Sequence, residues 1–129
     1  MTSTSFRQTI TSPVVCEKTT TQIELQLTDQ DDAALAKASL GTVTLTLYER
    51  KTGTILNSRS AQSVLDVNGG TVSSTGLLTL ILSNLDNALV SQSPSSEEHV
   101  ALIEWTWSSG TRFGKKELTF TVMNQLKVT

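Results

Sequence analysis

The residues that could do chemistry are few. His99 is the only histidine and Cys16 the only cysteine. A Ser–His–Asp or Cys–His centre must therefore use His99 as its base, and a thiol nucleophile must be Cys16. Cys16 sits near the start of the chain, and no serine has the glycine-flanked surroundings of a nucleophile elbow. His99 opens an apolar run, a setting in which a lone histidine serves structure. Two Cys and His residues in total cannot close a zinc site. "TDQDD" brings Asp29, Asp31 and Asp32 together, and oxygen-rich loops can hold calcium. The glycine and distal glutamate of an EF-hand loop are missing, and aspartates favour turns, so a solvated turn is expected. "DVNGG" (66–70) has the same faint look, and a turn accounts for it. "GTRFGKK" (110–116) fails as a phosphate loop: three residues separate its glycines rather than four, and no Ser or Thr follows the lysine. It reads as a hairpin with a basic exit, where Arg112, Lys115 and Lys116 could form a small positive tip. No catalytic residue, metal ligand or cofactor site is predicted, and the protein is not expected to be an enzyme.

Composition narrows the partners. The chain has 129 residues, a formal net charge of −2 and 17% charged residues. Nucleic-acid binding needs a basic patch or stripe, and none is present. No run of Lys or Arg exceeds two, so a polybasic membrane patch is missing as well. The longest apolar run, "LLTLIL" (77–82), is too short to cross a bilayer. No basic region precedes an apolar core at the N-terminus, so a secretory signal is not expected. A lone thiol suits a reducing compartment. These features predict a soluble single domain made in a cytoplasm.

The elements that would position any site are strands. Threonine is the commonest residue, followed by leucine and serine, and β-branched side chains suit pleated surfaces. Residues 1–19 read as an extended arm that can pair along a sheet edge; Pro13 excludes a central strand. Residues 20–129 read as one β-domain. "TQIELQLT" (21–28) alternates Ile23, Leu25 and Leu27 against Gln22, Glu24 and Gln26. A loop over 29–41 has room for one helical turn at 33–38. "TVTLTLYER" (42–50) is the clearest strand. "TILNSRS" (54–60) and "QSVLD" (62–66) read as short strands, and "NGG" (68–70) as the strongest hairpin signal. A strand is centred on 77–82, and Ser83 can cap a short helical turn near 84–90. "HVALIEWTW" (99–107) places His99, Ala101, Ile103, Trp105 and Trp107 on one face, with Val100, Leu102, Glu104 and Thr106 on the other. Such double coating predicts a central strand. The closing strand alternates Leu118, Phe120 and Val122 against Thr119, Thr121 and Met123. Short strands separated by turns predict a sandwich or barrel. Phe6, Ile10, Val14 and Val15 are apolar islands in a polar arm, which makes them candidate partner-docking residues.

"GTVTLTLYERKTGTILNSRS", "GLLTLILSNLDNALV" and "EEHVALIEWTW…G…GKKELTFTVMNQLKV" together resemble small virion domains of tailed phages. The pattern is similar to the immunoglobulin-like N-terminal domain of phage baseplate upper proteins and covers roughly residues 20–128. The proline associated with the closing hairpin of that family is missing here, and the further region of baseplate upper proteins is not part of the match. The resemblance implies an immunoglobulin-like antiparallel β-sandwich. It implies a structural virion component, at head, neck or tail, which docks on other virion proteins and forms oligomers in the particle. It brings no catalytic residues. A carbohydrate- or receptor-binding module on a similar sandwich is the alternative, and exposed aromatics in a groove would favour it.

Overall fold

The structure, a computed structural model, describes residues 7–91 and 95–124, with side chains from residue 15 onward. Its strands are β1 (Arg7–Cys16), β2 (Thr21–Gln26), β3 (Leu40–Glu49), β4 (Gln62–Ser63), β5 (Gly70–Val72), β6 (Leu77–Leu82), β7 (Ser96–Trp107) and β8 (Arg112–Met123). They form a five-stranded sheet in the order β1-β8-β7-β3-β4 and a three-stranded sheet in the order β2-β6-β5. The only helical element among the described residues is a three-residue 3-10 turn, Lys37–Ser39. The fold is all-β.

β7 is the middle strand of the five, the central position its double coating predicts. Its register sets Ile103 between Leu45 of β3 and Lys116 of β8, and Trp105 between Val43 and Gly114. His99, Ala101, Ile103, Trp105 and Trp107 are all buried. Ala101, Ile103, Trp105 and Trp107 join one apolar cluster with Leu78, Leu80 and Leu82 of β6 and Ile23 of β2, so the core lies between the two sheets. Burying each such side chain contributes about 1.5–3 kcal/mol, against which backbone ordering costs about 1–2 kcal/mol per residue. On the opposite face Val100 is fully enclosed, while Leu102, Glu104 and Thr106 are half-buried.

Four expectations need correction. The large sheet is mixed, because β1 runs parallel to β8. Most of the chain lies between these two strands, so no tight hairpin forces them to be antiparallel. The pairing also shifts between Ile10 and Val15, around Pro13, which has no N–H to donate. Second, residues 54–60 form no strand beyond a bridge between Ile55 and Tyr48. Asn57 and Ser58 adopt φ of 51° and 57°, which breaks the extended run. Third, "NGG" does turn, with φ of 54° at Asn68 and 88° at Gly69. It makes no hairpin, because β4 pairs with β3 and β5 with β6. It carries the chain from one sheet to the other, and a Cβ on Gly69 would meet the Ile81 carbonyl at 2.7 Å. Fourth, 84–90 closes one turn through Asp86 and Asn87 N–H bonds to the Ser83 carbonyl, at 3.1 and 3.2 Å, and then stops. The amides of Val90 and Ser91 are captured by the Glu97 carboxylate instead, at 2.9 and 2.6 Å.

Candidate functional site

Glu49, Arg59, Asp86, Asn87, Glu97 and His99 are buried polar residues gathered at one end of the two sheets. There Glu97 and His99 lie on the core face of β7, where sequence alternation puts them beside Glu49 of β3. His99 Nε2 lies 2.9 Å from Glu97 Oε1, and its ring packs edge-on against Phe120 at 5.8 Å. The imidazole is fully enclosed and Nδ1 has no hydrogen-bond partner. Glu49 accepts from the amides of Lys51 and Thr52 and from the Thr52 hydroxyl, at 2.9, 3.1 and 2.7 Å. Burial opposes its ionisation; these hydrogen bonds and nearby His99 outweigh that, and its pKa falls below the ordinary value. Each carboxylate thus fixes a loop: Glu97 holds 90–91 and Glu49 holds 51–52.

Asp86 does the same for the rest of this end. It has no exposed surface, and its Oδ1 accepts from Arg59 Nε at 2.7 Å and Asn57 Nδ2 at 2.8 Å. Its Oδ2 accepts from the Ser83 amide at 2.8 Å. The neighbouring Asn87 donates through Nδ2 to the Thr19 carbonyl at 2.6 Å and accepts the Lys18 amide at 3.0 Å. Three loops are therefore joined by buried, hydrogen-bonded side chains, which suits positioning more than reaction.

The opposite end carries the exposed aromatic chemistry. Here the β2–β3 loop meets the β7–β8 turn. Asp29 Oδ1 accepts the amides of Asp31 and Ala33 at 2.8 and 3.0 Å, so the acidic cluster shapes its own loop. Among the described residues no group of three or more His, Cys, Asp or Glu is arranged to hold a metal. Trp105 Nε1 donates to the Thr28 carbonyl at 3.0 Å and pins that loop to β7. A groove of about 460 Å³ runs between them, lined by Glu24, Gln30, Trp105, Trp107, Phe113 and Lys115 among others. Phe113 is 75% exposed, the most exposed large apolar residue among those described. Gly114 opposes Trp105, and a Cβ there would sit 2.6 Å from the indole Cε2. The basic tip is divided: Arg112 and Lys115 are exposed, whereas Lys116 is buried on the core face.

Of the four candidate docking residues, Phe6 lies outside the described residues. Ile10 and Val14 lie on β1, and their side chains also fall outside that description. Val15 is buried in the apolar cluster. The arm thus supplies an edge strand of the sheet. Sequence reasoning missed Phe113, Asp86 and Arg59. Phe113 had a readable signal, an aromatic residue beside a turn and out of phase with Leu118, Phe120 and Val122. Asp86 and Arg59 had none, since their pairing spans 27 residues of irregular chain. Neither the family models, nor the curated proteins, nor the solved structures give a match to this chain.

Proposed function

We propose that this chain is an immunoglobulin-like β-sandwich serving as a non-enzymatic structural component of a tailed-phage virion. It decorates the head or joins the neck or tail, and docks on other virion proteins through its first strand, sheet edges and loops. Strand order supports the fold. In chain order β2, β3, β4, β5, β6, β7 and β8 correspond to strands B, C, C′, D, E, F and G of an immunoglobulin domain. The small sheet then groups B, E and D, and the large sheet groups G, F, C and C′, as that fold requires. The tryptophans sit on F rather than C, and no second cysteine exists for an inter-sheet disulfide.

The observation that carries the docking mechanism is the position of β1. One edge pairs with β8, and no described strand covers the other. Arg7–Ile10 offers a short run of main chain for strand addition, in which backbone hydrogen bonds give affinity. The break around Pro13 limits how far a neighbour can extend along that edge. Homo-oligomers in the particle follow if the added strand comes from another copy. Mass spectrometry of purified particles should find the chain, and cryo-EM should show neighbouring main chain alongside residues 7–10. Particles without the chain, or contacts made only elsewhere, overturn the reading.

A further inference from the structure

We propose that the groove between the β2–β3 loop and the β7–β8 hairpin binds a sugar ring of a neutral glycan, with Phe113 as its stacking platform. The groove's shape, its aromatic residues and its charges all bear on the ligand class. Its volume of about 460 Å³ falls within the range of small-ligand sites. One ring, Phe113, is presented to solvent at 75% exposure, where an aromatic residue of a closing β-hairpin would otherwise turn inward. The residue after it is glycine, so no side chain on that strand screens the groove from Trp105. The Trp105 indole is held by its bond to Thr28, which keeps the wall rigid before any ligand arrives.

The charges select a neutral, hydroxyl-rich ligand. Glu24 and Lys115 both line the groove, and neither side chain makes a hydrogen bond or ion pair with another described residue. A carboxylate accepts from hydroxyls and an ammonium donates to them. Together they would repel part of any strongly charged ligand. A pyranose has an apolar C–H face for Phe113 and a rim of hydroxyls for Glu24 and Lys115. The site is independent of the β1 edge and is tested on the isolated protein, so its outcome does not depend on the virion reading.

The chain has two tryptophans, and both line the groove, which makes their emission a direct reporter. The isolated protein should be titrated with the methyl glycosides of glucose, galactose, N-acetylglucosamine and rhamnose. At least one should change the emission saturably. Phe113→Ala should weaken that response by about tenfold or more, which is the effect of losing one aromatic contact. Glu24→Gln should weaken it less, and both variants should melt as the parent does, since the side chains are exposed. Val67→Ala, exposed and away from the groove, should bind as the parent does. No saturable change with any of the four glycosides overturns the proposal. So does binding that Phe113→Ala leaves intact, or self-association that depends on Phe113 without any sugar response.

Discussion

Trp105 and Thr28 lie 77 positions apart and share a hydrogen bond of 3.0 Å, indole N–H to carbonyl. The bond joins the central strand to the loop that leaves the small sheet. Trp105 is also 5% exposed and part of the inter-sheet cluster. Trp105→Ala should cost about 3–5 kcal/mol in denaturant melts. Trp105→Phe keeps most of the apolar contact and loses the bond, so it should cost less, with about 1 kcal/mol due to the bond itself. A loss below about 1 kcal/mol for the alanine variant contradicts the packing described.

Gly114 is fixed by that same indole. A Cβ would lie 2.6, 2.7 and 2.8 Å from Cε2, Nε1 and Cζ2 of Trp105. A ring bonded to Thr28 and packed in the core cannot swing away freely. Gly114→Ala should therefore cost about 1–3 kcal/mol, as overpacking does. It should also shift tryptophan emission. An unchanged midpoint and spectrum count against the close approach.

Asp86 and Arg59 form a buried ion pair, with side chains 0% and 9% exposed. Removing one partner of such a pair strands the other. Asp86→Ala should cost about 3–5 kcal/mol and free the loops it joins. Arg59→Ala should cost less, because Asp86 keeps its bonds from Asn57 and Ser83. A double-mutant cycle of the two measures the coupling; additive losses would show that the pair is not a unit.

Glu49 makes stability depend on pH in a stated direction. Its pKa in the folded chain is lowered from 4.5. The contribution is therefore complete above about that value and is lost as pH falls below it. The stability gap between the parent and Glu49→Gln should be wide at neutral pH and narrow in acid. A gap that widens as pH falls reverses the assignment.

Asp29 should matter as a loop former and not as a metal ligand. Asp29→Ala removes two amide contacts and should cost about 0.5–2 kcal/mol, the scale of a lost capping side chain. Millimolar calcium should leave the parent's Tm where it is. A calcium-dependent rise that Asp31→Ala abolishes would show a site in this loop.

What the sequence disclosed follows from how locally each feature is encoded. Period-two alternation located β2, β3 and β8, because each needs one buried face and its own side chains declare it, whereas largely apolar runs marked β6 and β7. The two-sided run of β7 even gave its place at mid-sheet. β5, three residues long, is too short for any period to register, and β4 keeps only the first two residues of the strand read over 62–66. "NGG" specified a turn but not which strands it joins, since backbone φ is local and sheet membership is not. The same limit hid the parallel pairing of β1 and the Asp86–Arg59 bond. Phe113 was hidden differently: in a list of apolar residues it looks like core, and only its phase against Leu118 and Phe120 points it outward.

The parallel pairing of β1 with β8 has a mechanical side. Arg7 aligns with Glu117 and Cys16 with Met123, so the two strands travel the same way. Pull the domain apart by opposite tugs at Arg7 and Met123, and β1 must slide lengthwise along β8. The bonds of the two paired stretches, 7–10 and 15–16, then bear the load side by side instead of opening one after another like a zipper. A tether anchored at these two points should resist extension up to a sharp threshold, then yield in one step. Single-molecule stretching would read that threshold, and it should be much lower when the pull is applied at Ser96 and Met123, the open end of the β7–β8 hairpin, whose strands peel from one end.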